Sequence, residues 1–106
     1  MSILSTKLRN EIKKSAPGRN YTFLLKNIRI NGEARGCSGF IINEDNGLVV
    51  YVSTESIPWD DDLRFMYRYA RTTKDYTGSH NRWCKTLDAL IRDINWMLEQ
   101  NREVRL

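Results

Sequence analysis

Two Asn-Gly dipeptides, Asn31-Gly32 and Asn46-Gly47, limit the folds open to this chain more than any other feature. Asparagine and glycine tolerate positive φ, and together they fill the central positions of the tight turns whose twist matches paired strands. Each dipeptide lies between runs rich in β-branched and aromatic residues, the types that fit a pleated, half-buried surface. Tyr21–Ile30 (YTFLLKNIRI) precedes the first turn, Glu33–Asn43 lies between the two, and residues 48–53 (LVVYVS) follow the second. This pattern predicts a three-stranded antiparallel meander.

Helical signals flank the meander. Leu4, Leu8 and Ile12 recur every fourth residue, Lys13 and Lys14 sit where cations complement the helix dipole, and Pro17-Gly18 ends the pattern. A helix over residues 3–15 follows. Near the other end, Thr86 is placed to cap a helix with Asp88 in its first turn. Leu87, Leu90, Ile91, Ile94, Met97 and Leu98 supply its apolar stripe through about residue 100.

Residues 58–71 admit two readings. Pro58 and the acids Asp60, Asp61 and Asp62 resemble a helix start, with Trp59, Leu63, Met66, Tyr67 and Ala70 on one face. Alternatively Leu63, Phe65, Tyr67 and Tyr69 alternate with Arg64, Met66, Arg68 and Ala70 at the period of a strand. The β-rich context favours a fourth strand. Residues 71–83 are polar, contain Gly78 and read as one long loop. Small residues from Gly36 to Gly39 interrupt strand two and mark a bulge or a close backbone approach: either a backbone edge for a ligand or partner, or a twist that lets a helix cross the sheet. At 106 residues the chain is expected to form one α+β domain: N-terminal helix, antiparallel three- or four-stranded meander, C-terminal helix, in two layers.

Charge is unevenly spread. Eight basic and two acidic residues fall between positions 7 and 35, six acids and no base between 44 and 62, and six bases with Asp75 between 64 and 85. Arginine outnumbers lysine eleven to six, a bias suited to planar contacts with carboxylates or phosphates. No apolar run approaches a membrane span, and the first residues lack an export-type apolar core. With Cys37 and Cys84 far apart, a reducing cytoplasmic setting is expected.

No catalytic signature emerges, so a non-enzymatic protein is expected. The single imidazole, His80, has no nucleophile or acid in a known arrangement. His80, Cys84 and Cys37 fall short of four zinc ligands, and no glycine loop joins a strand to a helix around a phosphate; neither metal nor cofactor is expected. The basic block carries the binding signal. Arg64, Arg68, Arg71, Lys74, Arg82 and Lys85 interleave with Phe65, Tyr67, Tyr69, Tyr76 and Trp83, pairing cations with rings. Arg64, Arg68, Arg71, Lys74, Tyr76, His80, Arg82 and Trp83 are the expected contact residues. Trp59, Trp83 and Trp96 are anchor candidates for a protein interface. Direct binding of single-stranded nucleic acid or RNA is the alternative, weakened because strand alternation sets Phe65, Tyr67 and Tyr69 opposite Arg64 and Arg68.

Arg35-Gly36-Cys37-Ser38-Gly39-Phe40, residues 50–55 (VYVSTE) and residues 74–78 (KDYTG) resemble segments of small uncharacterised proteins of phages and bacterial mobile elements. That resemblance implies a setting rich in small inhibitors of host defence, including anti-CRISPR and anti-restriction proteins. It implies a protein partner such as a nucleic-acid-processing defence enzyme. The net charge of +4 departs from the acidic character of DNA mimics, and no functional residue carries over.

Overall fold

A computed structural model describes residues 4–30, 32–56, 63–76 and 82–100. The order is α1 (Leu4–Ser15), β1 (Tyr21–Ile30), β2 (Glu33–Asn43), β3 (Val49–Ser56), β4 (Leu63–Ala70), β5 (Arg82–Cys84) and α2 (Leu87–Leu98). The strands form one antiparallel sheet in the order β1-β2-β3-β4-β5.

The meander forms, with the two-residue connection its dipeptide predicts only at the first turn, where Ile30 pairs with Glu33. At the second, residues 44–47 make a four-residue loop between Asn43 and Leu48, and Gly47 N–H donates to the Asn43 carbonyl at 2.8 Å. Gly32 and Gly47 take φ of 84° and 78°, the left-handed backbone that favours glycine. Leu48 N–H donates to Asn46 Oδ1 at 2.9 Å, closing the second turn through a side chain. Residues 63–70 form the strand that their alternation favours, not the helix. Pro58, Trp59 and Asp60 to Asp62 lie outside the described residues.

Among the described residues there are five strands, not three or four, and residues 71–83 are not a loop throughout. Arg82–Cys84 pairs with β4 through Phe65↔Cys84, Met66↔Trp83 and Tyr67↔Arg82. Three residues are too few for alternation to register in sequence, and β4 imposes the extended conformation by pairing.

Both helices cover the same face of the sheet. Leu8 and Ile12 of α1 and Leu90, Ile94, Met97 and Leu98 of α2 pack on Cys37, Ile41, Val50, Val52, Phe65 and Tyr67. The helices touch each other through Asn95 Nδ2, which donates to Ser15 Oγ at 2.6 Å. Thr86 Oγ1 accepts from Ala89 N–H at 3.2 Å and caps α2. No basic residue lies in the last turn of α2. Instead Asn43 at the end of β2 and Asn46 of the turn that follows donate to the Leu98 carbonyl at 2.7 and 2.8 Å, tying the helix end to the sheet.

Gly39 accounts for the small residues in β2. Its φ is 148°, and a Cβ there would stand 2.0 Å from the Leu24 carbonyl oxygen of β1. The glycine permits close approach of two backbones. Among the described residues, no helix is long and apolar enough to cross a membrane.

Candidate docking surface

Strand alternation divides the sheet into a face buried by helices and a face that carries none among the described residues. The register aligns Leu24, Phe40, Tyr51 and Arg68 in one row across the second face, and Thr22, Ile42, Val49 and Ala70 in the next. Lys26, Ser38, Ser53, Met66 and Trp83 form a third row. Phe40, Val49 and Ala70 make a small second core there, with Ile42 and Tyr51 against it.

That second core is closed from above by residues 71–76. The Tyr76 ring lies 5.1 Å from Phe40 and 5.9 Å from Tyr51, edge-on to both. The segment is held by Arg68, whose guanidinium donates to the Asp75 carbonyl at 2.7 Å and stands 5.0 Å over the Tyr51 ring. Asp75 Oδ2 lies 3.5 Å from Arg68 and accepts from the Arg71 backbone N–H at 3.1 Å.

The expected contact residues therefore divide. Trp83 stands on the helix-free face, 57% exposed, and Tyr76 presents 60% of its surface over Phe40 and Tyr51 while anchoring its segment. Arg71 and Lys74 are exposed on the same segment. Arg64 shares the face; its guanidinium lies 6.0 Å from the Trp83 ring and 3.7 Å from Glu55. Arg68, by contrast, is 6% exposed and spent on internal bonds, so it positions the 71–76 segment and offers no contact. Arg82 points to the helix side, 5.6 Å over the Trp96 ring of α2, so it does not join Trp83. His80 lies outside the described residues.

Phe65, Tyr67 and Tyr69 lie under the helices, so the rings interleaved with Arg64 and Arg68 in sequence are not on their face. Two residues the sequence reading passes over belong to the surface: Leu24, 49% exposed, and Met66, between Trp83 and the Tyr51 row. The signal for Leu24 was present, since it is the apolar member between Thr22 and Lys26 on the outward period of β1.

The buried polar groups are held rather than poised. Tyr67 Oη donates to Asp93, and Tyr21 Oη donates to Glu99 at 2.5 Å. Burial pushes both phenols up, and those hydrogen bonds to carboxylates push them further. Burial pushes the Cys37 thiol up to about 11, against a weaker opposing bond from Thr54, and also raises Cys84. Both thiols stay protonated near neutrality and are poor nucleophiles. What the helix-free face offers is shape, apolar area and a cationic margin. No family model matches this chain, and no curated protein or solved structure matches it.

Proposed function

We propose that this is a non-enzymatic binding protein that docks a protein partner through the helix-free face of its sheet. The carrying observation is the exposure of Leu24 and Trp83 at the two edges of a face that no helix covers among the described residues, with Tyr76 exposed over its centre. Large rings on a rigid sheet make interface anchors at small entropic cost. Carboxylates of this chain stand beside Arg64 and Arg68, so the centre of the face is more apolar than its sequence suggests. Lys26, Arg71 and Lys74 leave a cationic margin that orients an acidic partner surface. The resemblance to phage and mobile-element proteins makes a nucleic-acid-processing defence enzyme the first partner class to test, with inhibition by occlusion as the expected action.

The alternative is direct binding of single-stranded nucleic acid, with Trp83 and Tyr76 as stacking platforms beside Arg71 and Lys74. One experiment separates the two. The protein and its Trp83→Glu variant are used as bait with purified candidate enzymes and with labelled single strands, at low and moderate salt. A stable protein complex that weakens by about tenfold or more with Trp83→Glu, and little with salt, supports docking. Binding of single strands that falls log-linearly with salt supports the alternative. Binding of either kind that ignores Trp83→Glu overturns the assignment of this face.

A further inference from the structure

The first basic block, positions 7 to 35, lends only Lys26 to the helix-free face, and the structure gathers much of the rest along the β1 margin of the sheet. There β1 is an edge strand, with β2 on one side and no strand on the other among the described residues. The Glu44 N–H to Asn20 carbonyl bond, 2.9 Å, fixes which residues of β1 face β2. Carried along the register, it directs the backbone groups of Thr22, Leu24 and Lys26 to β2. Those of Tyr21, Phe23, Leu25 and Asn27 turn outward. These same four residues point their side chains to the helix side, where α1 runs alongside.

Between α1 and this edge lie two depressions that share Phe23. One, of about 210 Å³, is lined by Lys13, Ala16, Gly18, Arg19, Tyr21 and Phe23. The other, of about 40 Å³, is lined by Ser5, Thr6, Arg9, Phe23 and Leu25. No carboxylate lines either one. Arg19 is paired with Glu99 at 3.2 Å, and Lys13 stands 5.7 Å over the Phe23 ring. Arg9, Lys13 and Lys26 pair with no carboxylate among the described residues.

We infer that β1 receives an extended acidic peptide of a partner as an added strand. Outward N–H and C=O groups that no strand meets among the described residues supply the pairing, and the larger depression beside Tyr21 and Phe23 takes an apolar side chain. The remaining side chains of the added strand are acidic: they meet Lys26 on the other face, within the field of Arg9 and Lys13. A second copy of this chain is a poor occupant, because pairing β1 with β1 brings two such basic margins together. The usable length ends near Ile28, where the β1–β2 register shifts.

The probe is a capped peptide of alternating valine and glutamate matched in length to β1, with its valine–lysine analogue as control. Fluorescence anisotropy and amide chemical shifts report binding to the full chain. The expected result is binding by the glutamate peptide about tenfold or more tighter than by the lysine peptide, with shifts at Tyr21, Phe23, Leu25 and Asn27. Asn27→Pro removes one outward donor at an exposed edge position and lowers that affinity about tenfold; Lys13→Glu with Lys26→Glu abolishes the preference for glutamate. Circular dichroism of each variant checks the fold. Trp83→Glu leaves peptide binding unchanged, so failure here is distinct from failure of the helix-free face. Equal binding of the two peptides, shifts confined to other strands, no binding of the glutamate peptide, or a concentration-dependent dimer through β1 overturns the inference.

Discussion

Replacing Arg68 with alanine tests whether the most buried arginine of the basic block is a contact or a brace. The side chain is 7% accessible and its guanidinium donates to the Asp75 carbonyl at 2.7 Å. A hydrogen bond from a charged donor contributes about 1.5–3 kcal/mol, and a desolvated cation over a ring about 1–2 kcal/mol. Asp75, with 21% of its side chain accessible, recovers some hydration once the arginine is gone, which trims the sum. A net loss of about 3 kcal/mol follows, a large share of the roughly 5–15 kcal/mol that holds a domain of this size. In a thermal melt that corresponds to a fall of roughly 10–20 °C. Urea denaturation gives the free energy, and hydrogen exchange shows whether amides of residues 71–76 lose protection. Arg68→Lys keeps the charge but not the planar fork and is expected to recover only part of the loss. A drop under about 0.5 kcal/mol, the range of an ordinary surface substitution, would refute the brace and return Arg68 to the contact residues.

Two further perturbations address the sheet and the core. Gly39→Ala is expected to destabilise the fold by more than about 3 kcal/mol, because its φ of 148° is strained for alanine and the new Cβ meets the Leu24 carbonyl at 2.0 Å. A loss below about 1 kcal/mol by urea titration would show that β1 shifts away freely. Cys37, raised from about 9 to about 11 by burial, keeps its proton in the folded chain after the unfolded chain has released it. Its contribution is complete below about pH 9 and is lost as pH rises from about 9 to 11, at up to about 1.4 kcal/mol per pH unit. Tyr21 and Tyr67 extend the decline to higher pH, because their phenols are raised as well. Urea titrations across this range are expected to show a shallower decline for Cys37→Ala, and an unchanged slope would refute the assignment.

The fold was legible where local chemistry and tertiary demand agree. The Asn-Gly turns, the alternation of residues 63–70 and the Thr86 cap each carry their instruction within a few residues. Arg82–Cys84 did not, because a strand of three residues owes its conformation to the Met66↔Trp83 pairing and not to its own pattern. The same limit applies to the candidate surface. Period-two alternation sets Arg64 and Arg68 together, yet one stays on the face beside Trp83 and the other is drawn beneath Tyr76 by the Asp75 carbonyl, seven residues away in sequence. A count of positive charges cannot register that difference, since it turns on a backbone acceptor that every residue type carries. Trp83 and Arg82 show the converse case. Adjacent in sequence and grouped as one basic-aromatic unit, they fall on opposite faces because a strand sends neighbours apart, one to the open sheet and one to Trp96 on α2. The basic block is thus one feature in composition and three in space: a brace, a helix-side stack and an exposed margin. Only the last, next to Trp83 on β5, is available to a partner on the helix-free face.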